Sequence, residues 1–335
     1  MFDWKWYLKD LKQDKNVKVF SCFSCGGGST MGYKRAGFDV IGNCEIDPRM
    51  NVVYVKNNHP KYNFLMDLRE FNKKTDLPEE LYNLDILDGS PPCSTFSTAG
   101  SREKAWGKEK VFREGQQKQI LDDLFFVFLD TVEKLKPKIV VAENVTGLLK
   151  GNAKGYVNEI IKRFHNLGYD VQLFKLNAAK MNVPQTRERV FFIANNQGYN
   201  KLKLNFDEKP ILFGEVRMKK GKEYNGKYNN DLKAYKKGDK TISDIKERIQ
   251  GKASGFNHTI CDDDCVHSTL PSSAYAFRAC DKMLLSDGDC RNISTFPQDY
   301  DFGKENAKYI CGMSVPPNMM ANIANEIYKQ WLKQS

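Results

Sequence analysis

The stretch Leu84-Asp85-Ile86-Leu87-Asp88-Gly89-Ser90-Pro91-Pro92-Cys93-Ser94 constrains this chain more than any other. It opens as an apolar run, the mark of a buried strand. It closes in Gly-Ser-Pro-Pro, which suits neither a strand nor a helix interior, because proline fixes φ and has no backbone N–H. The spacing therefore puts Cys93 at the carboxyl end of a strand, on a loop stiffened by two prolines. In open α/β sheets ligands bind along that edge. A thiol held there can act as a nucleophile. The competing assignment is an inert core cysteine, since free cysteine is among the most buried residue types.

The flanking chain supplies the rest of such a sheet. Residues 17–23 read as a first strand, Ser24-Cys25-Gly26-Gly27-Gly28-Ser29 as a glycine-rich turn, and 30–36 as a helix ending at Gly37. That order lets backbone N–H groups at a helix N-terminus approach a dinucleotide or adenosyl ligand. The turn matches neither Gly-x-Gly-x-x-Gly nor a P-loop, so taken alone it could be an ordinary tight turn. Residues 40–45 form a second strand ending in Glu45, about 20 residues past the turn, the spacing of a ribose-binding carboxylate. Asp67 follows a third candidate strand. Helical periodicity over 119–135 stops at Lys136-Pro137, and residues 138–142 form another buried strand ending in Glu143-Asn144-Val145. A second acid thus joins Cys93 at the carboxyl edge. A helix over 156–167 and strands over 170–176 and 189–194 complete an alternation that argues for a doubly wound α/β domain. The polar stretch 95–117 has the length of a functional lid.

Beyond residue 194 the texture changes. Residues 201–252 carry about fifteen Lys and Arg against about eight Asp and Glu, with Tyr224, Gly226, Tyr228 and Tyr235 interleaved. This segment holds most of the net charge of +10 and fits a phosphate-tracking surface, or else a solvated insertion. Gly312 to Pro317 reads as a turn opening a helix over 318–332. No apolar run is long enough to span a bilayer, and no signal-peptide h-region opens the chain, so the nine cysteines are expected to be reduced thiols in the cytoplasm. Cys22 and Cys25 lack a thioredoxin-like setting. His258, Cys261, Cys265 and His267 offer four zinc-ligand types, but their spacing fits no common finger, and no metal is expected.

Taken in order, these pieces resemble the DNA cytosine-5 methyltransferase family over most of the chain, the basic segment excepted. Phe23 to Gly28 with Gly32 and Ala36-Gly37-Phe38 is similar to the family's S-adenosylmethionine loop. Pro91-Pro92-Cys93-Ser94-Thr95-Phe96-Ser97 is similar to its nucleophile motif. Glu143-Asn144-Val145 and Gln185-Thr186-Arg187-Glu188-Arg189 are similar to its two central polar motifs. Phe296-Pro297-Gln298-Asp299-Tyr300 and Gly312 to Pro317 resemble the closing ones. The resemblance implies Cys93, Glu143, Arg187 and Arg189 as catalytic. It implies that Phe23, Ser24, Gly26, Gly27, Gly28, Glu45, Ile46, Asp67, Leu68, Pro92, Met313, Ser314 and Val315 hold S-adenosylmethionine, and that Ser97, Asn144 and Gln185 contact DNA or the base. In that chemistry Cys93 attacks carbon-6 of a flipped-out cytosine. A protonated Glu143 donates to N3, Arg189 holds O2 and Arg187 braces the site. Three positions depart from the family pattern: Cys25 stands for Gly, Ser94 for Gln and Met313 for Asn. The last exchanges an amide for a thioether, with an expected effect on cofactor affinity or on the alkyl group accepted.

The expectation is therefore a Rossmann-like α/β methyltransferase fold with a doubly wound, mostly parallel sheet, plus a second, smaller target-recognition domain. Residues 1–194 plus 292–335 would form the catalytic and cofactor-binding domain, its C-terminal helix folding back. Residues 195–291 would read the target. The expected partner is double-stranded DNA, the expected state a monomer without membrane contact, and a cognate restriction enzyme is a candidate partner. The alternatives are a tRNA cytosine-5 methyltransferase of the same fold and a catalytically silent DNA-binding relative.

Overall fold

Buried strands build the centre of the main sheet in this computed structural model, which describes residues 2–92, 109–110, 119–120, 123–150, 153–255 and 258–333 (for 109–110 and 119–120, the backbone only). Cys93, Ser97 and most of the 95–117 stretch lie outside the described residues. The chain divides into two compact units. One comprises Leu11–Leu176, Glu188–Asn205 and Met320–Ser335; the other comprises Met1–Asp10, Asn177–Arg187 and Phe206–Met319.

The first unit holds a seven-stranded sheet: β1 (Lys18–Cys22), β2 (Asp39–Glu45), β3 (Tyr62–Leu65), β4 (Ile86–Gly89), β5 (Ile139–Val145), β6 (Asp170–Asn177) and β7 (Glu188–Asn195), in the order β3-β2-β1-β4-β5-β7-β6. The first five strands of that order run parallel, and β7 returns antiparallel against β5. All four residues of β4 and six of the seven in β5 are buried, as expected of central parallel strands covered on both faces.

Helices α1 (Gly28–Arg35), α2 (Pro48–Asn58), α3 (Leu68–Lys73), α4 (Leu124–Leu135) and α5 (Ala153–Asn166) connect the strands. Their ends follow local chemistry. Asp47 caps α2 by accepting from the Arg49 N–H, with Pro48 at the first helical position. α4 stops where Lys136 turns left-handed ahead of Pro137. Phe20, Phe64 and Phe71 meet under the sheet, with Phe20 and Phe71 stacked at 5.4 Å. The chain's last segment also belongs to this unit. Tyr328 contacts Phe38, and the Trp331 indole donates to the Asn200 carbonyl at 2.8 Å.

The second unit is built from short elements: α6 (Phe213–Val216), α7 (Asn229–Lys233), α8 (Ile242–Gln250), α9 (Asp287–Ile293) and α10 (Ala307–Met313), with two-stranded pairs of Thr259–Cys261 with Ala276–Arg278 and of Gln185–Thr186 with His267–Ser268. Capping boxes start α8 at Thr241 and α9 at Ser286. A fully buried ion pair, Arg278 to Asp289 at 3.3 Å, ties the end of a short strand to α9.

One expected turn is a helix instead. Gly312 lies inside α10, because Asn306 caps its start and Ala307, Ile310 and Cys311 bury one face; the turn comes at Ser314. The helix expected over 318–332 is α11 (Pro317–Ile327), continued by a wider π-helical turn, Tyr328–Leu332.

Candidate active site

The carboxyl end of β5 and the start of β7 bring together the two expected catalytic side chains described in the first unit, Glu143 and Arg189. The antiparallel register sets Glu143 opposite Phe191 and Arg189 opposite Val145, so the two polar side chains meet diagonally across the strand pair. Arg189 Nε lies 2.9 Å from Glu143 Oε1, with side chains 15% and 10% exposed. Burial works against the Arg189 charge, and Glu143 is what supports it. Next door, the Asn144 amide donates to the Pro91 carbonyl at 3.2 Å and accepts from the Val145 N–H at 2.9 Å. It thereby fixes β5 to the loop that runs into Cys93. Gly89 ends β4 where nothing larger fits: a Cβ there would lie 2.5 Å from the Phe128 ring.

Behind these residues sits an acid that the reading of the sequence passed over. Asp88 is 1% exposed on β4. It accepts from Ser21 Oγ at 2.9 Å and Tyr33 OH at 3.2 Å, and no described cation pairs with it. Burial pushes its carboxyl up to about 7; the two hydroxyl donors oppose the shift and Glu143 adds to it. The available signal was a charged residue in the middle of a strand whose neighbours mark both faces as buried.

The loop between β1 and α1 forms a cradle. Phe23 and Cys25 both take positive φ, 54° and 45°, and Gly27 follows at 84°. Cys25 thus adopts the left-handed conformation that a glycine would take without cost. It is held there by Glu45, whose Oε2 accepts the Cys25 N–H at 2.7 Å while Oε1 accepts the Asp47 N–H at 2.9 Å. Burial raises the Glu45 carboxyl above its ordinary range. Asn43 reaches Ser24 Oγ at 3.1 Å from the same strand. Asp67 caps α3 and pairs with Arg69 at 3.2 Å, just ahead of Leu68. A strained backbone turn, a glycine at a helix start and a buried carboxylate at the next strand end fit an adenosyl group, with spare lone pairs on Glu45 for ribose hydroxyls.

The remaining expected residues belong to the second unit. Gln185 is fully buried, and its amide holds that unit's own backbone. Nε2 donates to the Ile293 carbonyl at 3.3 Å and Oε1 accepts the Leu270 N–H at 3.1 Å. Arg187 is 2% exposed and donates through Nη1 to the Gly312 carbonyl at 3.1 Å. Met313 closes α10, and Ser314 Oγ is buried without a hydrogen-bond partner among the described residues. His258, Cys261, Cys265 and His267 do not converge. His258 packs on Tyr275 and His267 on Phe213; Asp262 and Asp264 are the residues grouped with Cys265, and they are engaged by Tyr235 and Lys237.

Residues 17–329 match the sequence model of the C-5 cytosine-specific DNA methylases. The chain belongs to that family. Family membership makes it a DNA methyltransferase and implies S-adenosylmethionine as the methyl donor. The type II methyltransferase M.FnuDI of Fusobacterium nucleatum is 29% identical over 93% of this chain and 94% of its own length. M.NgoPII of Neisseria gonorrhoeae is 36% identical over 53% of this chain and 47% of its own. Among solved structures, a DNA modification methyltransferase encoded within an Escherichia coli prophage superposes with a TM-score of 0.67 at 18% identity, covering 94% of this chain and 99% of that one. The likeness is one of fold: a mixed α/β methyltransferase with a large, mostly parallel sheet. Among the described residues no helix is long and apolar enough to cross a membrane.

Proposed function

We propose that this methyltransferase moves the methyl group of S-adenosylmethionine to carbon-5 of a flipped-out cytosine in a specific duplex DNA sequence, through a covalent adduct on Cys93. The observation that supports the reading is the Asn144–Pro91 hydrogen bond, which ties Pro91, two residues before Cys93 in the chain, to the strand that carries Glu143 and its partner Arg189. A cytosine stacked in a duplex cannot meet that edge, so the base is extruded.

The Cys93 thiolate adds to carbon-6, and the electron pair of the carbon-5–carbon-6 bond moves onto the ring. Glu143 in its protonated form donates to N3, and Arg189 holds O2 where charge gathers. Arg187 braces the motif from its buried bond to Gly312. The bound cofactor, held by residues 23–28 with Glu45, Ile46, Asp67, Leu68, Pro92 and Met313 to Val315, supplies an electrophilic methyl for carbon-5. A base then takes the carbon-5 proton, the double bond re-forms, the Cys93 thiolate leaves and N3 returns its proton to Glu143. Ser97, Asn144 and Gln185 complete the base and DNA contacts; Asn144 and Gln185 act through the backbone they hold. Residues 195–291 read the target. The enzyme works as a monomer on cytoplasmic DNA, and the type II relatives favour a restriction enzyme of the same specificity as its counterpart.

The test is methyl transfer from labelled S-adenosylmethionine into duplex DNA of mixed sequence, wild type beside Cys93→Ala, with the modified positions sequenced. Transfer to cytosine carbon-5 that vanishes in the variant is the expected result. Transfer that survives in Cys93→Ala, or that goes to an identical transcript and not to DNA, overturns the reading.

A further inference from the structure

His258 and Tyr275 pack against the second unit's small apolar core, His258 on Tyr228 and Tyr275 on Phe277. The His258 and Tyr275 rings lie 5.2 Å apart at 30°, and Tyr228 closes a three-ring cluster, 4.8 Å from His258 and 6.2 Å from Tyr275. Tyr275 is 39% exposed. The Tyr275 N–H donates to His258 Nδ1 at 3.0 Å, which makes Nδ1 the acceptor and leaves the proton of the neutral ring on Nε2. No described residue accepts from that Nε2–H.

Three lysines surround this pair. Lys227 and Lys246 lie over the Tyr228 ring at 4.9 and 5.2 Å. Lys308 reaches the Ala274 carbonyl, next to Tyr275 in the chain. Lys246 meets Asp231 only at 4.0 Å, and no described carboxylate pairs with Lys227 or Lys308. Burial, followed by these three lysines, lowers the His258 pKa, so the ring stays neutral at physiological pH and presents one donor. A histidine that served packing alone would need neither a fixed tautomer nor two neighbouring lysines, Lys227 and Lys308, without a described carboxylate partner.

We infer that His258, backed by Tyr275, is a specificity-determining residue that donates Nε2–H to an acceptor on a major-groove base edge of duplex DNA, with Lys227 and Lys308 on the flanking phosphates. Guanine offers two such acceptors on that edge, and thymine and adenine one each. Base contacts specify and phosphate contacts position, which assigns the two kinds of side chain different signatures. The inference rests on the second unit being the target reader.

The experiment measures methyl transfer into a duplex library randomised around a fixed cytosine, for wild type, His258→Ala, His258→Asn and Lys227→Ala, with thermal melting of each. The expected result for His258→Ala is loss of preference at one position of the site by roughly tenfold or more, the scale of one good base contact. Lys227→Ala is expected to weaken transfer evenly across sequences and to flatten the salt dependence by about one counterion. His258→Asn keeps a polar group but misplaces the donor, and should show the same single-position loss if the alanine variant melts early. An unchanged sequence preference in a folded His258 variant overturns the inference and leaves the proposed reaction standing. Wild-type protein that methylates no DNA overturns both.

Discussion

The Asn144 side chain joins two strand ends by donating to the Pro91 carbonyl at 3.2 Å, two residues before Cys93. Its other end accepts from the Val145 N–H, so the amide cannot rotate without losing a bond. Asn144→Ala should leave the sheet folded and reduce kcat by about tenfold to a hundredfold, since small misplacement of a nucleophile is costly. Single-turnover methyl transfer at saturating DNA checks this, and an unchanged rate would show that the loop needs no such anchor.

Arg189 and Glu143 form a nearly dry pair, in which removing one partner strands the other. Glu143→Gln keeps the shape and a hydrogen bond to Arg189 but carries no carboxyl proton for N3. Methyl transfer should fall by about two orders of magnitude or more, while DNA binding in a gel-shift assay persists. Arg189→Ala should cost both activity and stability, the latter on the order of 2–4 kcal/mol because an unpaired carboxylate remains. Equal activity in Glu143→Gln and wild type would remove the acid from the mechanism.

Gly89 answers to packing rather than to φ. A methyl group there meets the Phe128 ring at 2.5 Å, and α4 holds that ring within the main core. Gly89→Ala should destabilise by about 1–3 kcal/mol through overpacking. Gly89→Ala with Phe128→Leu should recover part of the loss. Urea unfolding of the single and double variants measures the coupling, and strict additivity would exclude the contact as the cause.

Two strand ends were legible because glycine and proline follow them, Gly-Ser-Pro-Pro closing β4 and the glycine turn closing β1; β2 ends at Glu45 just ahead of the Asp47-Pro48 helix start. Periodicity could show neither the antiparallel return of β7 nor the resulting diagonal contact between Arg189 and Glu143, which depends on register. Gln185 shows the opposite limit. Its motif suggested a base contact, yet both ends of its amide grip backbone from residues more than 80 positions away in the chain. α10 does not show in the Gly312–Pro317 pattern, which reads as a turn; the Asn306 cap and the buried face of Ala307, Ile310 and Cys311 make it a helix. The separate compactness of 177–187 and 206–319 follows from such long-range bonds; the change in composition beyond residue 194 marks only the second stretch, and 177–187 leaves no such trace.

Asp88 makes the last prediction, and its sign differs from the usual carboxylate. Burial lifts its carboxyl from an ordinary 3.8 to about 7 in the folded protein. Between those values the native state keeps a proton that the unfolded chain has released, so stability falls as pH rises through the interval. Below about 4 both states hold the proton and there is no cost. Above about 7 the folded protein carries a buried anion answered, among the described residues, by Ser21 and Tyr33, a cost on the order of 4 kcal/mol. Asp88→Asn removes the charge and keeps two polar ends for the same hydroxyls. The variant and wild type should therefore differ little near pH 4, and the variant should be the more stable at pH 8, by about 2–4 kcal/mol in urea unfolding. Stability curves that run parallel from pH 5 to pH 8 would mean that Asp88 does not titrate in this range, and that the two hydroxyls suffice to hold its charge in the sheet.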